Sequence, residues 1–75
     1  MHFKTKDFYL AALLFLKKYP LRDHEEDNGK TVFYFQDSDE LRDTVQDYFY
    51  DQLTVSPHQY QEAIKMAKSI IYSSV

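Results

Sequence analysis

Asp39, Asp43 and Asp47 recur every four residues, and Asp51 continues the row. On a helix this spacing sets the carboxylates along one side, each step rising about 6 Å. Glu40 lies beside the row, and Tyr50, seven residues after Asp43, falls on the same side. Like charges at this spacing oppose each other by roughly a few tenths of a kcal/mol per pair. Asp47 and Asp51 also stand toward the negative end of the helix dipole, so helix stability alone does not select acids there. Carboxylates about 6 Å apart approximate successive backbone phosphates. The chemistry this suggests is docking into a basic groove on a partner protein, with Tyr50 as an aromatic anchor. A solvated face that keeps the chain soluble accounts for the same residues more simply.

Other constellations fall short of a site. Asp23, Glu25, Asp27 and Gly29 alternate somewhat like a calcium loop. Such a loop needs Gly at its sixth position and Glu at its twelfth, where Asn28 and Tyr34 stand. His2, His24 and His58 are scattered and match no metal-ligand spacing. A single Gly is too few for a phosphate-cradling loop. Ser38 and Ser56 read as helix caps, and Ser69 has no base or orienting group at a recognisable spacing. Neither an enzyme nor a cofactor or metal is expected.

The chain is 44% hydrophobic and 28% charged, a balance that fits a folded soluble domain rather than disorder or a membrane span. Its 75 residues allow one domain, expected to be compact over 1–75. Without cysteine there is no argument for an oxidising compartment, and a cytoplasmic location is expected. Lys4 and Lys6 precede the apolar run Phe8–Leu16 as in a signal peptide, but Lys17-Lys18-Tyr19-Pro20 follows instead of a small-residue cleavage site. The run is also too short to span a bilayer. The net charge of −3 divides into +3 over residues 1–21, −7 over 22–51 and +1 over 52–75. An acidic centre lowers the expectation of nucleic-acid binding. The opposing reading is a nucleic-acid face on which Tyr34 stacks a base near Arg22 and His24, helped by Lys4, Lys6, Lys17 and Lys18. Asp23, Glu25, Glu26 and Asp27 oppose it on the same segment. A third reading is a homo-dimer through the first helix, whose nine apolar residues are many for one small core.

Local signals place the elements. Thr5 reads as an N-cap with Asp7 in the first turn, and Pro20 as a stop, predicting a helix over about 6–18. A helix apolar all round belongs in a core. Asn28-Gly29 between two extended runs marks a hairpin. A type I turn at Asp27-Asn28 followed by left-handed Gly29 sets Leu21 opposite Phe35 and Asp23 opposite Phe33. Arg22, His24, Val32 and Tyr34 then share the other face, whereas a two-residue turn shifts the register by one. After Asp37-Ser38 a second helix directs Leu41, Val45, Tyr48 and Phe49 to the core. Leu53-Thr54-Val55 reads as a short strand. Ser56-Pro57 starts a third helix with a stripe of Tyr60, Ala63, Ile64, Ala67, Ile70 and Ile71. The expected fold is α+β: helix, β-hairpin, helix, short strand, helix, with a small antiparallel or mixed sheet under the helices.

Phe3-Lys4-Thr5-Lys6-Asp7, running into Tyr9-Leu10-Ala11-Ala12, resembles the opening of a small family of uncharacterised bacterial and phage domains. Phe33-Tyr34-Phe35-Gln36-Asp37 is similar to that family's central strand, and Val55 and Tyr60 to the start of its last strand and helix. The family usually has glycines after its first and second helices, where Tyr19-Pro20 and Asp51-Gln52 stand here. The resemblance implies a shared fold unit and a bacterial or phage setting, and transfers no site. The expected function is that of a non-catalytic accessory protein, inhibitor-like, binding a protein partner through Asp39, Glu40, Asp43, Asp47, Tyr50 and Asp51.

Overall fold

Phe8–Leu16 form helix α1 in a computed structural model that describes residues 1–73. The helix begins at Asp7 rather than Thr5: the Asp7 carboxylate accepts from the N–H groups of Tyr9 at 3.0 Å and Leu10 at 3.2 Å. Thr5 closes a turn one step earlier, its hydroxyl accepting from the Asp7 N–H at 3.0 Å. The reason is a strand absent from the expected order. His2–Thr5 form β1, with Phe3 and Thr5 turned inward and His2 and Lys4 outward.

Leu21–Asp27 and Lys30–Gln36 form β2 and β3, and the antiparallel sheet runs β1-β3-β2. Asn28 (φ 53°) and Gly29 (φ 82°) are both left-handed, the mark of a two-residue type I′ turn that pairs Asp27 with Lys30. Leu21 lies opposite Phe35 as expected, but Asp23 pairs with Tyr34 and His24 with Phe33. A bulge between Leu21 and Asp23 absorbs the extra residue. Asp23 and Glu25 therefore share the face of Tyr34 and Val32, and His24 moves to the other side with Phe33.

Helix α2 spans Asp39–Phe49, capped by Ser38, whose Oγ accepts from the Leu41 N–H at 3.0 Å. Leu41 is fully buried, and Val45 and Tyr48 are half-buried. Phe49, expected in the core, is 66% exposed. Each four-residue step rotates the side chain by about 40°, so Leu41→Val45→Phe49 walks off the stripe, whereas Tyr48 at i+7 stays on it. Residues 53–55 form no strand; Leu53 and Val55 pack on the core from an unpaired connection. Helix α3, Pro57–Ser73, follows the expected Ser56 cap, whose Oγ accepts from the Gln59 N–H at 3.4 Å. The fold is thus α+β, with the order strand, helix, hairpin, helix, helix.

Helix α1 sits at the centre. Leu10, Ala11, Leu13 and Leu14 join Phe33, Phe35 and Leu41 in the main core, and Ala12 meets Ala63 and Ala67 of α3. Alanines on both helices let the backbones approach closely. Phe15 packs edge-on against Phe33, ring centres 6.0 Å apart.

Both short helices end in the same way. Lys18 is left-handed (φ 69°), and the N–H groups of Lys18 and Tyr19 bond to the carbonyls of Phe15 and Leu14, each at 3.0 Å. Asp51 (φ 57°) repeats this, with the Asp51 N–H on Tyr48 at 3.3 Å and the Gln52 N–H on Asp47 at 2.9 Å. These are Schellman motifs whose left-handed position normally holds Gly. A side chain there costs about 1–2 kcal/mol, partly offset by the extra chain entropy a Gly loses on folding. Lys18→Gly is expected to stabilise the fold by about 0.5–1 kcal/mol, raising Tm by several degrees at roughly 4–8 °C per kcal/mol. Thermal unfolding followed by circular dichroism reads this, and an unchanged or lower Tm contradicts it.

Candidate functional site

Helix α2 is held to both ends of α1. At its start, the Tyr19 hydroxyl donates to the Glu40 carbonyl at 3.1 Å and shares a 2.8 Å hydrogen bond with Thr44 Oγ1. At its end, the Tyr48 hydroxyl donates to Asp7 Oδ2 at 3.4 Å. Burial, followed by the nearby Asp7 charge, holds the Tyr48 phenol above its ordinary pKa and keeps it a donor. Asp7 thus serves two elements, capping α1 with one oxygen and holding α2 with the other.

With its inner side fixed, α2 presents Asp39, Glu40, Asp43 and Asp47 outward, all exposed. No salt bridge reaches any of these four carboxylates among the described residues. The one cation on the helix, Arg42, is turned back to Asp37 in a bidentate pair, Nε to Oδ1 at 2.9 Å and Nη2 to Oδ2 at 2.7 Å. Tyr50 stands 68% exposed on the side of Asp39 and Asp43, and Phe49, 66% exposed, lies about 100° round the helix from it. Asp51 leaves the row: its left-handed backbone turns it to a recess lined by Leu13, Tyr48, Leu53, Val55 and Tyr60. The row is therefore three aspartates and Glu40, with Tyr50 at its end. Phe49 was expected in the core; its drift of about 40° from Val45 was the available signal of its exposure.

The alternative nucleic-acid face is only partly assembled. Lys4 faces Tyr34 across the β1–β3 register, but Lys6 is engaged with Asp27 at 2.8 Å, and the Tyr34 hydroxyl donates to Glu25. Arg22 Nε donates to Gln36 Oε1 at 3.2 Å, while His24 lies on the opposite face. Asp23, Glu25 and Asp27 line the Tyr34 face along β2 and raise the Tyr34 pKa, Glu25 foremost through its hydrogen bond. Lys17 and Lys18 stand at the far end of α1, about 14 Å along the helix from its start. Within the apolar run of α1, Leu10–Leu14 are at most 3% exposed, Phe8, Phe15 and Leu16 are half-buried, and Tyr9 is 57% exposed. A recess of about 530 Å³ lies between the end of α1 and α3, lined by Phe15, Leu16, Lys18, His58, Met66 and others, of which Lys18 alone belonged to an expected face. Its walls come from stretches some 40 residues apart, which no local motif joins. Among the described residues, no three His, Asp or Glu side chains gather as metal ligands, and no helix is long and apolar enough to cross a membrane.

The chain belongs to the family described as a domain of unknown function, DUF5659, whose model matches residues 1–73. No curated protein and no solved structure matches it.

The Arg42 pair that frees the acid face also carries a pH dependence. Hydrogen bonds from Arg42, reinforced by its charge, hold the Asp37 carboxyl below the ordinary aspartate range. A depressed carboxyl stabilises the fold fully above its unfolded pKa, and this stabilisation is lost as pH falls through the folded value. Wild type is thus expected to exceed Asp37→Asn in Tm by a constant margin above about pH 5, and that margin is expected to narrow as pH drops into the carboxylate range. A margin independent of pH down to acid unfolding removes the pair as its source.

Proposed function

We propose that this protein is a non-catalytic binding module that engages a basic surface of a protein partner through the outer face of α2. The reading is inhibitor-like, with carboxylates presented where nucleic acid presents phosphates. The observation that carries it is the exposure of Tyr50 on the side of Asp39, Asp43 and Asp47, with Phe49 exposed at the same end of the helix. Of the six phenylalanines only Phe49 is exposed; Phe33 and Phe35 are fully buried and the other three half-buried. Leaving a large aromatic in water forgoes about 1.5–3 kcal/mol of burial, and a merely solubilising face has no use for one. An interface centre does, because aromatic anchors carry much of the binding energy there. Anchorage of α2 at both ends supports the reading, since a surface fixed before encounter loses little entropy on binding. A bacterial or phage setting and a cytoplasmic location belong to the same proposal, the first resting on the family resemblance.

The acid row along β2 weighs against the nucleic-acid reading, because it repels phosphate from the Tyr34 ring. Tagged protein captured with its binding partner from host lysate tests the proposal. Asp43→Lys, Asp47→Lys and Tyr50→Ala together are expected to lower recovery of the wild-type partner at least about tenfold. Phe49→Ser is expected to lower recovery while leaving stability within about 0.5 kcal/mol, as at other exposed sites. Equal recovery by the triple variant defeats the proposal, and a gel shift with short oligonucleotides at low salt restores the nucleic-acid reading.

A further inference from the structure

The helices pack on one face of the sheet, through Phe33 and Phe35, and the opposite face carries none of them. Its central strand contributes Tyr34, half-buried, and Val32, 5% exposed. The flanking strands are of opposite sign. On β1 stand His2 and Lys4, with Lys6 just beyond; on β2 stand Asp23, Glu25 and Asp27. The register aligns them in rows. Lys4 and Asp23 both pair with Tyr34, giving the row Lys4–Tyr34–Asp23 from one edge to the other. Neither Lys4 nor Asp23 makes an ion pair within the described chain.

Such a row is complementary to itself under one operation. A two-fold axis parallel to β3, lying between two stacked sheets, exchanges left and right while keeping height along the strand. It sets β1 of each copy over β2 of the other, so Lys4 meets Asp23 and Tyr34 meets Tyr34 at the centre, while Lys6 stays paired with Asp27 of its own chain. A two-fold perpendicular to the strands instead sets Lys4 on Lys4 and Asp23 on Asp23, which like charges disfavour. Sheets stacked with strands within about 30° of each other and about 10 Å apart are an ordinary packing, and a self-complementary patch is what a two-fold dimer requires.

We propose that the open sheet face is a homo-dimer interface, a second copy lying across it about a two-fold axis parallel to β3. It is independent of α2, whose Leu41 lies in the core on the opposite side of the sheet. Three strands of seven residues or fewer cover about 14 by 23 Å, less than a standard interface of about 800 Å² per partner. Association is accordingly weak, with Kd on the order of 100 µM, and sensitive to salt because its pairs lie near water.

Sedimentation velocity from about 10 µM to 1 mM at low salt is expected to show a monomer–dimer equilibrium that shifts to monomer in about 0.5 M salt. Lys4→Glu and Asp23→Lys, both exposed positions, are each expected to weaken self-association at least about tenfold. Mixed in equal amounts they are expected to associate with each other, since one copy then offers acids on both outer strands and the other bases on one and a new base on the second. A dilution series of the wild type, followed by backbone NMR shifts, reads the same surface without substitution, with changes expected along β1, β2 and β3. A wild type monomeric at 1 mM, a dimer undisturbed in both variants, a mixture that stays monomeric, or dilution shifts confined to α2 and α3 each overturn the proposal.

Discussion

Helix α1 meets protein on both its sheet side and its α3 side, and the rest of the molecule follows from covering it. Leu10 and Leu14 face the sheet layer through Phe33 and Phe35, while Ala12 lies against Ala63 and Ala67. Each fully buried leucine contributes about 1.5–3 kcal/mol, so a chain this short gains most of its stability around this one element. Neither layer alone buries a nine-residue run that is apolar on every side. The chain therefore needs a sheet on one side and a long helix on the other. The alanine contacts fix how closely that helix lies.

From this centre the polar contacts are few and placed at ends. Asp7 caps α1 and accepts from Tyr48, and the Tyr60 hydroxyl donates to the Tyr9 carbonyl at 2.9 Å, fastening the start of α3 to the start of α1. Tyr19 does the same for α2 at the opposite end. Tyrosine suits this work because its ring joins the apolar packing while its hydroxyl reaches a rim acceptor. Such hydrogen bonds orient helices already held by apolar contact, and they decide which side of α2 is left outward.

The two open surfaces differ in kind. The outer face of α2 is single-signed, with its only cation withdrawn to Asp37. The open face of the sheet is balanced, cations on one edge strand and acids on the other. A single-signed face seeks a partner of other composition, whereas a balanced one can meet itself. Both edge strands carry charges, which also guards an exposed edge against indiscriminate strand pairing.

Much of this was legible in the sequence because it is local. The central, fully apolar helix, the Asn28-Gly29 turn, the Ser38 and Ser56 caps, the stripe on α3 and the acid row on α2 each rest on residues a few positions apart. Tertiary structure decided the rest. Four residues, His2–Thr5, become a strand only because β3 lies beside them, and Leu53–Val55 do not because no sheet edge takes them. The turn reassigned a face: with side chains alternating every residue, the two-residue turn at Asn28-Gly29 put His24 on the Phe33 side and Asp23 beside Tyr34, and the bulge at Arg22 returned Leu21 to Phe35. Phe49 was left in water by a rotation of some 40° that matters only once the width of the core is known. Local spacing determines what an element is. Which of its residues meet water depends on neighbours distant in the chain, and that geometry exists only after the layers have packed.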